Sequence, residues 1–172
     1  MSAKARFIIW LIMIPIASVL AIFIDLKYFT ELFYLTSFHV VTAILGIIIL
    51  WLITIVARNT GRTLAKYGRE GDISRFETNV LVDKGPYAKM RHPMHFALLF
   101  LPLGWGLLIG SPTFIFIIAP LEMIFILLMI KLVEEPEAHR KFGKQYEEYI
   151  KDKPWFCIRR DCIKELFKKV EK

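Results

Sequence analysis

Four stretches of this chain are so poor in charge that water is the wrong solvent for them. Phe7–Ile24, Leu32–Ala57, Pro93–Ile109 and Phe114–Val133 hold only Glu122 and Lys131 among the Asp, Glu, Lys and Arg residues. In hydrocarbon each backbone N–H and C=O has to be satisfied inside its own segment, which leaves the helix as the usable form. At about 1.5 Å per residue, runs near twenty residues match a hydrocarbon core of roughly 30 Å. The first run is long for the apolar part of a signal peptide. It exits through Asp25-Leu26-Lys27, which offers no small-residue cleavage site, so it reads as a span. The expected fold is all-α, a polytopic membrane protein with about four transmembrane helices. Spans three and four form a C-terminal helical hairpin around Ser111-Pro112, and amphipathic helices follow on the cytoplasmic side.

The rest of the composition fits that frame. Of 172 residues, 56% are hydrophobic, above the roughly 45–50% of a soluble domain. The length suits a single membrane domain over residues 1–172. Within it, 1–78 reads as a two-span anchor with a basic linker, 79–156 as a cofactor-binding half, and 157–172 as a basic tail. The net charge of +7 comes from Lys and Arg that flank the apolar runs. This pattern points to membrane topology and anionic lipid rather than nucleic acid. The first connector has one Lys against two acids, and the Ser111-Pro112 turn has no charge. An even number of spans with both termini in the cytoplasm therefore satisfies the positive-inside rule. Arg58, Arg62, Lys66 and Arg69 fall on one face of a helix that continues past the second span, a snorkelling basic collar.

Other features have structural readings. Small residues on the second span, Gly46 among them, permit close helix packing. His39 reads as a satisfied interfacial histidine. Glu122, inside the fourth span, reads as paired with a basic group or a partner helix. Cys157 and Cys162 are the only cysteines; they fit no zinc spacing and are expected as free thiols in a reducing compartment. No metal site is expected. No dinucleotide or phosphate-loop glycine pattern occurs.

The polar stretch from Leu81 to His95 is where chemistry concentrates. It places a Gly85-Pro86-Tyr87 turn and an Arg91-His92-Pro93-Met94-His95 segment directly against an apolar run. Polar groups are costly beside hydrocarbon, so a cluster of this kind marks a site at the membrane surface. A second signature follows the fourth span: Glu134-Glu135, then Phe142-Gly143, Tyr146, Tyr149 and Pro154. Phe142, Tyr146 and Tyr149 recur at helical spacing and suit a membrane surface or the flank of the hairpin.

The two signatures together resemble the isoprenylcysteine carboxyl methyltransferase family and its phospholipid methyltransferase relatives, over roughly residues 79 to 156. The resemblance implies an S-adenosylmethionine-dependent methyltransferase acting on a lipophilic acceptor. The cofactor would contact Asn79, Val80, Leu81, Val82, Tyr87, Arg91, His92, Pro93, Met94, His95 and Glu134. Where that family often has Tyr, this chain has His95, and Ala97 stands in place of a Gly. The family's active-site arginine aligns with Ile130, and Lys131 is the nearest cation. Methyl transfer from a sulfonium is an in-line displacement, so positioning and desolvation dominate. Glu134 or Glu135 can pair with the cofactor ammonium and Arg91 with its carboxylate. A general base is needed for an ammonium acceptor, and His95 or Glu135 can serve. Glu135, His95 and Lys131 are thus the candidate catalytic residues. Membrane lipids and a lipophilic acceptor are the expected partners. Two rival readings are a membrane reductase of the sterol-reductase type using NADPH, and a non-catalytic lipid- or partner-binding membrane protein.

Overall fold

In a computed structural model that describes residues 3–73 and 77–169, the chain is helical and no strand occurs among the described residues. Arg75 falls outside that range, and the side chains of Lys4 and Arg6 are likewise outside it. The helices are α1 (Ala3–Tyr28), α2 (Thr30–Phe33), α3 (Thr36–Tyr67), α4 (Pro93–Leu98), α5 (Leu101–Ile109), α6 (Ala119–Met129), α7 (Glu135–Phe142), α8 (Lys144–Lys151) and α9 (Arg160–Phe167). Gly85–Ala88 forms a 3-10 turn; a π-helical turn at Phe114–Ile118 leads into α6, and one at Ile130–Glu134 joins α6 to α7 without a break. Two of the resulting helical stretches, Thr36–Tyr67 and Phe114–Phe142, are long and apolar enough to cross a membrane; Pro93–Ile109 is apolar but shorter. On α3 the side chains of Val40, Val41, Ile44, Leu45, Ile47, Ile48 and Trp51 are exposed. An apolar surface of that extent belongs against lipid rather than water.

The chain divides into two compact units, Met1–Ile53 with Leu98–Leu127, and Thr54–Ala97 with Leu128–Lys172. In the first, Ala21, Phe114 and Ala119 form a buried cluster against Ala17, Leu103, Trp105, Ile109 and Ile118. The Trp105 indole donates to Ser18 Oγ at 2.9 Å, so the ring is half-buried without orphaning its N–H. Gly46 lets α3 and α5 approach closely. A Cβ there would lie 2.6 Å from Leu108 N and 2.9 Å from Gly104 O, both backbone atoms that cannot swing aside. Helix α1 runs past the expected exit at Ile24 to Tyr28, carrying Asp25 inside rather than on a connector. The acid is tolerated because Thr113 N donates to it at 2.8 Å and the Ser111 hydroxyl donates to its other oxygen. Gly110, in the left-handed region at φ 63°, turns the chain between α5 and the Phe114 turn and leaves room for the His39 ring. His39 Nε2 meets Phe33 O at 2.5 Å, the satisfied histidine that its position implied. Glu122 departs from expectation. It is only 6% exposed and both its oxygens are buried without a hydrogen-bond partner, so the anticipated pairing with a basic group is absent among the described residues.

The second unit is built on the C-terminal half of α3. Thr60 and Thr63 return their hydroxyls to Val56 O and Asn59 O, which hides their polarity within the helix. Asn59 Nδ2 donates to Leu166 O at 3.0 Å and so ties α9 to α3. Arg58, Arg62 and Lys66 do lie on α3, but the helix ends at Tyr67, and Arg69 instead donates to Glu77 O across the following loop. The cysteines are corrected outright: Cys157 and Cys162 form a disulfide and no described cysteine is free. The segment after α8 folds back on the first turn of α9 and so brings the two sulfurs together, a proximity that the spacing of the cysteines in the sequence does not show.

Replacing Gly46 by Val is expected to lower stability by about 1–3 kcal/mol through overpacking against fixed backbone. A thermal unfolding midpoint measured in detergent and equal to that of the parent would contradict the close approach.

Candidate functional site

The second unit gathers the polar residues around one carboxylate. Glu135, the first residue of α7, accepts from Arg91 Nη1 at 2.7 Å, from His92 Nε2 at 2.5 Å and from the Tyr146 hydroxyl at 2.9 Å. Three elements meet at this side chain: the segment before α4, α7 itself, and α8. Arg91, His92 and Glu135 have side chains that are at most 16% exposed. The pairs are therefore shielded enough for the charge-assisted bonds to carry weight. With Nε2 of His92 donating to Glu135, the ring's other nitrogen is left as the acceptor in the neutral tautomer.

The Gly85–Ala88 turn is fixed from the other side. Tyr149 on α8 donates its hydroxyl to Tyr87 O at 2.5 Å and also reaches Met90 O at 3.3 Å. Burial pushes the Tyr87, Tyr146 and Tyr149 phenols well above the ordinary tyrosine value, reinforced at Tyr146 by its bond to Glu135. All three remain neutral across the physiological range, and Tyr146 and Tyr149 serve as donors. Tyr146 and Tyr149 thus pack inward, the first buried, rather than lying on a membrane surface.

Beside this locked centre stands a more accessible pair. His95 Nε2 lies 3.9 Å from Glu134 Oε1, and both side chains are about twice as exposed as Glu135. The His92 and His95 rings meet edge to face at 5.7 Å. The repulsion of Glu134 is felt at the buried Tyr87 phenol, which puts the two in the same neighbourhood. The adjacent glutamates therefore have separate neighbours, one turned to structure and the other to His95.

Of the residues expected at the site, Tyr87, Arg91, His92, His95, Glu134 and Glu135 are brought together. Pro93 and Met94 open α4 between the two histidines. Asn79 has another task. Its amide accepts from Glu70 N at 2.9 Å and donates to Glu70 O at 2.7 Å, closing the loop after α3. Val80 N bonds to Gly68 O, Val82 is buried, and Leu81 is half-buried between them. Lys131 is exposed, and its side chain makes no hydrogen bond or ion pair with a described residue. Trp155 was missed. Its ring stands edge-on to His92 at 6.2 Å and beneath the Arg91 guanidinium at 5.9 Å. Its place next to Pro154, the last residue of the second signature, was the available clue.

An S-adenosylmethionine cofactor carries a carboxylate, an ammonium and a sulfonium, and the donor set can be tested against it. Arg91 Nε is buried without a hydrogen-bond partner among the described residues, although Nη1 is on Glu135. An orphaned guanidinium N–H is costly unless an acceptor such as a carboxylate reaches it. Glu134 offers a partly exposed carboxylate for an ammonium. The residues fit the group.

A model of the phospholipid methyltransferase family matches residues 37–145, well over half of the chain, taking in the first signature and the second as far as Phe142-Gly143. The chain belongs to the phospholipid methyltransferase family. No curated protein and no solved structure matches it. Membership in a methyltransferase family, with apolar helices of spanning length, makes it a membrane-associated methyltransferase.

Glu135→Gln is expected to lower stability by about 3 kcal/mol, because Arg91 would be left partly buried without its counter-charge. Glu134→Gln should cost about 1 kcal/mol or less, as its carboxylate is about twice as exposed and its contact with His95 is longer. Equal losses in chemical unfolding of the two variants would contradict the separation of roles.

Proposed function

We propose that this chain uses S-adenosylmethionine to methylate the amine of a membrane lipid. The observation that carries the reading is Arg91, with one nitrogen fixed on Glu135 and its Nε–H buried and unpartnered in a chain of this family. When bound, S-adenosylmethionine supplies a methyl group made electrophilic by its sulfonium. Arg91 takes the cofactor's carboxylate and Glu134 its ammonium, each as a charge-assisted hydrogen bond. Tyr87, His92, Pro93 and Met94 complete the cofactor-binding half, residues 79–156, with the Asn79–Val82 segment contributing apolar side chains only, since the Asn79 amide is spent on Glu70.

The acceptor's chemistry follows from which charges are already engaged. An acceptor carboxylate needs a cation, but Arg91 is held by Glu135 and Lys131 is exposed on its helix. Ile130 stands where the resemblance expects an arginine, and it is fully buried. An ammonium acceptor needs a base instead. His95, edge-on to His92 and facing Glu134, can remove that proton and expose the nitrogen lone pair. Glu135 is a positioning residue here, since its oxygens already hold three donors. Lys131 has no role in this reading.

We also infer four membrane spans with both termini and the site on the cytoplasmic face. Support comes from the Lys and Arg residues that border α3, precede α4 and follow α7, against the uncharged Gly110–Thr113 turn. The lipid acceptor then enters from the bilayer and the cofactor from the cytoplasm. With an impermeant maleimide on intact cells, Glu31→Cys should be labelled and Lys144→Cys should not. The reverse pattern would overturn the orientation.

The function is tested by calorimetry on the detergent-purified protein. S-adenosylmethionine should bind in the micromolar range and NADPH should not. Loss of the Glu134 contact in Glu134→Ala should weaken the cofactor at least about tenfold, the worth of one charge-assisted bond. Label from S-adenosylmethionine should pass to an amine-bearing phospholipid and not to a prenylcysteine carboxylate. NADPH binding in its place would sink the methyltransferase reading, and binding of neither would favour a non-catalytic lipid- or partner-binding protein.

A further inference from the structure

The segment between α8 and α9 is a strap with no helical ladder of its own, yet it touches the site at three points. Pro154 O accepts from Arg91 N at 2.9 Å and Trp155 O accepts from His92 N at 3.2 Å. The Trp155 ring then packs against both side chains, and Phe156 meets Phe96 at 5.7 Å. Thus the backbone and the rings of the strap hold the two residues that grip Glu135.

What holds the strap is less obvious. Beyond Cys157 the chain is almost bare: Ile158 is 81% exposed and the Arg159 side chain 74%. Packing cannot fix such a linker. Helix α9, by contrast, is firmly docked. It packs on the Gly85–Ala88 turn, Lys89 Nζ meets Asp161 Oδ2 at 3.1 Å, and Leu166 O takes the Asn59 amide. The Cys157–Cys162 bond bypasses the bare linker and joins the strap directly to the docked helix, with both sulfurs buried in the fold.

We propose that Trp155 is a positioning residue for Arg91 and His92, and that the Cys157–Cys162 disulfide is the redox-dependent fastener that keeps its strap in place. A reducing dithiol opens the fastener by thiol–disulfide exchange. The Cys157–Cys162 S–S bond breaks, the two sulfurs gain two electrons and two protons, and the dithiol is oxidised to its own disulfide. The strap then keeps only its hydrogen bonds and ring contacts, and Arg91 and His92 lose their fixed backing. The effect on cofactor affinity rests on the proposed S-adenosylmethionine reading; the effect on the strap does not.

The experiment compares the full chain in lipid nanodiscs before and after dithiothreitol, with thiol content checked by alkylation and mass. Hydrogen exchange of the Arg91 and His92 amides should accelerate about tenfold or more on reduction and return on reoxidation, while exchange along α3 stays unchanged. S-adenosylmethionine affinity should weaken in parallel. A Cys157→Ser/Cys162→Ser variant should match the reduced protein with or without dithiothreitol. Trp155→Phe should retain affinity better than Trp155→Ala. Unchanged exchange at Arg91 and His92 in fully reduced protein would overturn the proposal, as would equal acceleration along α3. Redox-dependent exchange with no S-adenosylmethionine binding in either state would sustain the fastener and sink the methyl-donor reading.

Discussion

The site depends on one carboxylate receiving three donors. Glu135 holds Arg91, His92 and Tyr146 at once, so a single side chain sets the spacing between the segment before α4, the start of α7 and α8. Each ion removed from water costs several kcal/mol, and that cost is offset only where geometry and extra hydrogen bonds are good. Here they are, with a guanidinium, an imidazole and a phenol converging on two oxygens. Tyr149 completes the frame by reading the carbonyls of Tyr87 and Met90, which turns the Gly85–Ala88 turn into a fixed wall. The accessible chemistry is left to His95 and Glu134.

That division explains what could be read from the residues and what could not. The apolar runs announced helices, and the Gly85-Pro86-Tyr87, Arg91-His92-Pro93 and Glu134-Glu135 groups announced where the polar centre lies. Which glutamate is structural was undecidable, because the Ile130–Glu134 stretch is a π-turn. A wider turn resets the angular phase of every residue after it, and nothing in the residue types marks it. Lys131 was favoured as the nearest cation in sequence, but proximity along a helix says little about which side it faces.

Long-range closures were the other hidden layer. The disulfide depends on the strap folding back, the burial of Asp25 on a turn far along the chain, and the place of Trp155 on the Arg91 and His92 amides that its own carbonyl and that of Pro154 accept. None of these has a local pattern. Glu122 is the converse case. The sequence rightly marked it as unusual, but the rule that intramembrane acids find a partner does not hold for it among the described residues.

Asp25 also bears on how such a chain is made. Its carboxylate is satisfied by Ser111 and by the backbone of Thr113, residues that leave the ribosome long after α1 has formed. Chains emerge N-terminus first, at about 5–20 residues per second. For several seconds the first helix therefore carries an acid whose partners do not yet exist. Burial of Asp25 against these partners therefore has to follow synthesis of the Gly110–Thr113 turn, which makes the closing of this unit a late step.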